Sequence, residues 1–560
     1  MQIKGPNQEC IHLRQSQFVG RGGQGTIYAH QETAYKIFHS QSAVLPQQKF
    51  VELGRIQSPY VLCPEAIVTD DQHQPIGYAM PLVTNTVPLC RLFPRVYREA
   101  HNISPATLMA LVTQMRRVLK DIHRSGCIVV DLNELNVLIS ADYKTAYFID
   151  TDSYQTPTHA PTAVMETIRD RLAPIGQFNT GTDWFSFAVI TFQLFTGIHP
   201  YRGFHPTLKN LDSRMASQVS VFDPSVKLPP AAENFASIPA TLRGWYEDVF
   251  QGGHRGPPPK DFGPFDMITL RETVDTAALS FDVESTYEEP VRLYRAAHGH
   301  VVVITEKWIY VDGARRGPAP DGRLQVMFSP TRHIPTVIGW TAEHGLWVWD
   351  TDKLTTVAFG IRADALLWAA DGYVYFRSGA ELMVLTLMDS AGGVIMGARP
   401  IAHLHRYATQ DYRGVLVQRL LGTTYFTCLT EGGAVHQRIP ELDGYTIVDA
   451  VFHQPALMVL GIRDGFYTRF IVRFAEQPAN HYQIMALDNV TGVDGDMLVL
   501  HGGVIVLKDG DGGIKLLSTS PESTRVKALP PTEVGCFQLV HRGHGLGFVR
   551  GPETGTVRMK

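Results

Sequence analysis

The feature that most constrains the fold is a change of texture near residue 280. Before it, strand-like and helix-like segments alternate. After it the helical period disappears, and short β-rich runs alternate with Gly, Asp and Asn turns. Examples are HVVVITEKWIYVDG (300–313), HGLWVWD (344–350), DGYVYF (371–376) and FYTRFIVRF (466–474). Runs of this kind, recurring every few tens of residues, predict a β-propeller, in which each blade buries its faces against its neighbours. At roughly 40–45 residues per blade, the last part of the chain holds six or seven. A pair of β-sandwiches is the alternative.

At 560 residues the chain is too long for one ordinary core, so two to four domains are expected. Hydrophobic residues make up 44% and charged residues 19%, with a net charge of -4. That balance suits a soluble globular protein and argues against broad nucleic-acid binding driven by counterion release. The six cysteines are scattered, with no CxxC pair, so neither a disulfide framework nor a zinc site is expected. No stretch approaches the ~20 apolar residues of a membrane helix, and the N-terminus lacks a signal-like apolar run. A cytoplasmic location follows as the expectation, with neither membrane nor nucleic acid as partner.

In the first half, 17–38 reads as strand, glycine turn, strand, turn, strand. The segment 104–125 reads as a helix: Ser104 caps it, Pro105 opens it, and Leu108, Leu111, Met115, Val118, Leu119 and Ile122 form its apolar stripe. A second helix, 183–196, is apolar nearly all round and is expected to be buried. The Gly/Pro-rich run 252–266 then breaks the pattern. The expected division is a first domain over 1–265, a linker over 266–280 and the propeller over 281–560.

The chemistry-bearing residues lie in the first half. VGRGGQGTIY (19–28) places Gly20, Gly22 and Gly25 in a G-x-G-x-x-G pattern, and Lys36 follows in AYKIF. Taken alone, that pattern fits an empty hairpin as well as a phosphate cradle. Further on come CIVVDLNELNVLIS (127–140), with Asp131, Asn133 and Asn136, then AYFIDTDSY (146–154), with Asp150, and then Asp183 at the head of the apolar helix.

The order and spacing of these segments resemble the protein-kinase superfamily over roughly residues 15–265. The resemblance implies an α+β bilobal protein-kinase-like fold followed by the all-β propeller. It implies that ATP and Mg²⁺ are the cofactors. The backbone at Gly20, Gly22 and Gly25 would approach the phosphates, and Lys36 would contact them. Asp150 and Asn136 would hold Mg²⁺ through hard oxygens, Asp131 would orient the acceptor hydroxyl, and Asp183 would brace the loop. Arg255 is expected to pair with Glu166.

Some positions depart from the family pattern. Val129 and Val130 replace His-Arg before Asp131, Asn133 stands in the usual lysine slot, and Asp150-Thr151-Asp152 replaces D-F-G. The acid partner of Lys36 is open: apolar spacing puts Lys49 in the glutamate slot, and Glu52, one turn away, is the favoured candidate. Asn133 is a candidate catalytic residue through its amide. The DLNELN and DTDS combination is similar to a bacterial branch of kinase-like proteins encoded beside a metal-dependent phosphatase and a von Willebrand A protein. The expected function is a Ser/Thr protein kinase acting on a protein substrate, with the propeller recruiting or regulating it. Products of such neighbouring genes are the candidate partners. The alternative is a pseudokinase scaffold that binds nucleotide while the propeller mediates protein contacts.

Overall fold

The computed structural model describes the chain apart from residues 6–8, 163, 229–234, 236–237, 261–278, 351–354, 359, 371, 391–392, 406, 475–481, 488–489, 491–492, 501–502, 509–513, 518–525, 530–536, 544 and 560. The expected linker 266–280 therefore lies almost wholly outside the described residues, as does Cys536. The other five cysteines are free thiols.

The N-terminal part opens with a seven-stranded antiparallel sheet. Its order is Cys10–His12, Gln2–Lys4, Ala66–Thr69, Pro75–Pro81, Thr33–Phe38, Gly25–His30, Phe18–Arg21. One face buries Ile3, Ile11, Tyr35, Ile37, Val68 and Ala79. Ala34, Tyr78 and Met80 belong instead to the large core shared with the helices, as the period of two along the strands requires. Gly77 lets two strands close up, because a Cβ there would lie 2.1 Å from the Lys36 carbonyl oxygen.

Six α-helices are present among the described residues: α1 (Gln47–Leu53), α2 (Arg95–Ala100), α3 (Pro105–Arg124), α4 (Thr180–Thr196), α5 (Leu211–Ala216) and α6 (Ala240–Phe250). At the start of α3, Ser104 Oγ accepts from the Thr107 N–H at 3.1 Å. All six stripe residues named above are buried. Helix α4 starts three residues earlier than expected, because Asn179 supplies the cap. It is buried along nearly its whole length, and Gly197 ends it at a φ of 68°.

The rest is β. Six consecutive four-stranded antiparallel sheets run from Val291 to Leu529. A seventh joins Leu279–Thr286 to the last three strands of the chain, 538–559. Each sheet packs on the next through apolar clusters such as Met327, Ile338, Leu366 and Phe376, which gives a closed, propeller-like ring. Several hairpins turn through two left-handed residues, as at Asp312-Gly313, Leu421-Gly422 and Asp464-Gly465. That is the geometry that matches strand twist in a two-residue turn.

These findings correct the expected fold class. Among the described residues the protein is mostly β, with 45% in strands and 18% in helices, and antiparallel sheets recur throughout them. That does not fit an α+β bilobe. The reason is physical: only two segments of the first half carry a strong helical period. The connection between them settles into short strands, 3₁₀ turns and loops over the described residues of 125–179, and 197–228 adds turns, loops and only the short helix α5. No helix of the described residues is long and apolar enough to cross a membrane.

Candidate functional site

The site lies where the seven-stranded sheet meets the helices. The hairpin between Phe18–Arg21 and Gly25–His30 holds the three glycines, closed by a Gly22 N–H to Gly25 carbonyl bond of 2.9 Å. Their requirements differ. A Cβ at Gly25 would sit 2.8 Å from the Ile37 carbonyl oxygen, so packing demands glycine there. A Cβ on Gly20 or Gly22 would meet open space, so their backbone is accessible to a ligand.

Lys36 is buried at 6% exposure. Its Nζ donates to Asp150 Oδ1 at 2.7 Å and to both oxygens of Asp152, at 2.7 and 2.8 Å. The Tyr78 hydroxyl donates to the same Asp152 carboxylate at 2.7 Å. Burial would push the lysine down, but Asp152 and then Asp150 outweigh it and raise its pKa above the ordinary value. Lys49 is also buried, at 3% exposure, and faces the charges of Asp152 and Asp150; here burial prevails and lowers the ammonium.

Glu52 is not the partner of Lys36. Its carboxylate accepts from Gln48 Nε2 at 3.2 Å and from the Thr158 hydroxyl at 2.9 and 3.0 Å. Thr156, Gln48 and Thr158 around it hold its pKa down at about 2, against the opposing effect of burial. Helix α1 is short and carries this side chain toward residues 156–159, away from Lys36. The second aspartate of Asp150-Thr151-Asp152 takes the place that sequence reasoning gave to Glu52. The signal was present: an acid two residues after Asp150, and a lysine in the glutamate slot.

The loop Asp131–Asn136 is fixed from within. Asn136 Nδ2 donates to the Asp131 carbonyl at 3.0 Å and to Asp131 Oδ2 at 3.2 Å. The Met165 N–H donates to Asp131 Oδ1 at 2.7 Å. Asn133, 2% exposed, accepts the Leu135 and Asn136 N–H groups at 2.8 and 3.1 Å on its amide oxygen. Asn133 therefore organises the loop through its amide oxygen. Desolvation raises the Asp131 pKa above its ordinary value, and the Asp150 charge adds to this; bonds from Asn133, Met165 and Asn136 oppose the rise.

Asp183, fully buried, braces the same loop. Its two oxygens accept the N–H groups of Val129 and Val130 at 2.8 and 2.9 Å, and His123 Nε2 lies 2.8 Å away. Val130 has a φ of 64°, a strained conformation for a β-branched residue that these bonds help to hold. Arg255 pairs in bidentate fashion with Asp170, at 2.6 and 2.8 Å, and not with Glu166. Glu166 lies instead against Arg169 and Arg171.

The expected metal ligands suit a hard cation. Asp150 uses only Oδ1 on Lys36, and Asn136 donates through its nitrogen, which leaves oxygen atoms of both for such an ion. A small pocket next to Val130 is lined by Val164, Ile168, Arg169, Asp170, Gln177 and Phe178. No family model matches the chain, and no curated protein matches it.

Proposed function

We propose that the protein is an ATP-dependent Ser/Thr protein kinase. The observation that carries this reading is the clustering of Lys36, Asp150 and Asp131. The lysine is held by the two aspartates, and the Asp131 carboxyl lies within electrostatic reach of Asp150. Phosphoryl transfer asks a protein mainly for positioning and charge neutralisation, and each part has a candidate. The open backbone at Gly20 and Gly22 receives the phosphates, and Lys36 binds their oxygens. Asp150 and Asn136 hold Mg²⁺, which neutralises charge on the phosphates when bound. Asp131 accepts the proton of the acceptor hydroxyl. Its raised pKa favours proton uptake.

A second reading, a pseudokinase scaffold that binds nucleotide without turnover, is favoured by one observation. Two central charged groups are already held by protein partners: Lys36 by two carboxylates, Asp131 by Met165 and Asn136.

The test is incubation of the whole chain with γ-labelled ATP, Mg²⁺ and candidate acceptors, including a phosphatase and a von Willebrand A protein encoded nearby. Transfer that disappears in Asp131→Ala supports the kinase reading. Absence of transfer from the wild type, with Mg·ATP binding retained, supports the scaffold.

A further inference from the structure

The Asp131–Asn136 loop is held from a second side, by the ring. Glu134, in the middle of the loop, is 2% exposed. Its Oε1 accepts the hydroxyl of Tyr467 at 2.9 Å across 333 residues of sequence. Its Oε2 is buried and has no hydrogen-bond partner among the described residues. Tyr467 lies on Phe466–Phe474 in the fifth sheet and is itself buried in the core that joins the ring to the helices. Its main-chain oxygen is occupied by the Val490 N–H at 3.1 Å.

The turn before this strand touches the site again. Gly465 has a φ of 78°, and a Cβ on it would lie 2.4 Å from Thr167 Oγ1. Thr167 stands two residues after Met165, whose N–H holds Asp131. One hairpin of the ring thus abuts both segments that fix the Asp131 carboxylate.

We propose that Tyr467 is a positioning residue for the Asp131–Asn136 loop, acting through Glu134, so that the ring is a fixed part of the catalytic site. The inference rests on the phosphotransfer reading for its kinetic consequence only. A buried carboxyl group that loses its one side-chain hydrogen bond is left poorly satisfied. The loop relieves this by turning Glu134 toward water, and Asn133 and Asn136 move with it. Transfer geometry tolerates such shifts poorly.

The experiment compares wild type, Tyr467→Phe and Glu134→Gln as whole chains. Tyr467→Phe keeps the ring packing and removes only the donor. Its kcat is expected to fall about tenfold while KM for Mg·ATP stays within about twofold. Amide hydrogen exchange over 131–136 is expected to speed up by about tenfold, with the ring sheets unchanged. Glu134→Gln still offers an oxygen to Tyr467 and is expected to keep slow exchange in the loop. Wild-type exchange in Tyr467→Phe overturns the inference. So does equal acceleration throughout the chain, or exchange in Glu134→Gln as fast as in Tyr467→Phe. If the wild type transfers no phosphate, the functional reading fails, and the exchange data still decide the role of Tyr467.

Discussion

Asp152 grips Lys36 with both carboxylate oxygens and takes the hydroxyl of Tyr78 as well. The acid that fixes the lysine therefore comes from the segment next to Asp150 and not from helix α1. Asp152→Asn should raise KM for ATP and lower kcat/KM about tenfold or more, because a charge-assisted bond to the lysine is lost. Glu52→Gln should leave kcat/KM within about twofold. Steady-state kinetics on the two variants separate these roles. Equal losses would return Glu52 to the site.

The Glu52 pKa also sets a pH dependence. It is depressed in the folded protein to about 2 from an ordinary 4.5. Its contribution to stability is therefore fully present above pH 4.5 and is lost as pH falls toward 2. Thermal melts across that window should show Glu52→Gln losing less stability on acidification than the wild type. A parallel decline in both would assign acid sensitivity to other groups.

Gly20 and Gly25 divide binding from packing. Gly20→Ala meets nothing and should leave Tm unchanged while weakening Mg·ATP binding, measured by calorimetry. Gly25→Ala meets the Ile37 carbonyl oxygen at 2.8 Å and should cost about 1–3 kcal/mol of stability by strain. If Gly20→Ala binds as well as wild type, the phosphates do not approach the hairpin there.

Much of the local structure was legible in the sequence. The Ser104 cap, the α3 stripe and the Asp312-Gly313 turn are short-range choices, and short-range patterns report them. The loop residues Asp131 and Asn136 do lie together, as their spacing suggested. The exchange of Glu52 for Asp152 was only half legible: both acids and a lysine in the glutamate slot were in view, and only the path of α1 decides between them. The overall balance of strand over helix escaped for a related reason. Two strong helical segments suggested an α+β bilobe, while the chain between them carries no period at all. Contacts such as Glu134 to Tyr467 had no signal, since nothing in one stretch announces a partner hundreds of residues away.

The ring and the N-terminal part share one core. Val448, Leu460, Ile462, Tyr467 and Val493 pack with the residues of α3 and α4. Arg91 is 4% exposed, donates to the Asp411 carbonyl at 2.9 Å and lies over the rings of Tyr412 and Tyr97 at 3.9 and 4.7 Å. Calorimetry should therefore show a single unfolding transition. Arg91→Ala should destabilise by roughly 3 kcal/mol, from the lost ring contacts and the lost charged hydrogen bond. Two separate transitions in the wild type would contradict the shared core.

The seventh sheet joins Leu279–Thr286 to the strand Glu553–Met559. During synthesis on the ribosome, the earlier of these strands emerges long before its neighbour exists and waits with an unpaired edge. The same delay reaches the loop that carries Asp131, because its support on Tyr467 belongs to a ring that cannot close until the last strands arrive. A nascent chain stopped short of them would hold every residue of the candidate site yet lack the closure that steadies it, which couples the ordering of the site to the synthesis of residues 538–559.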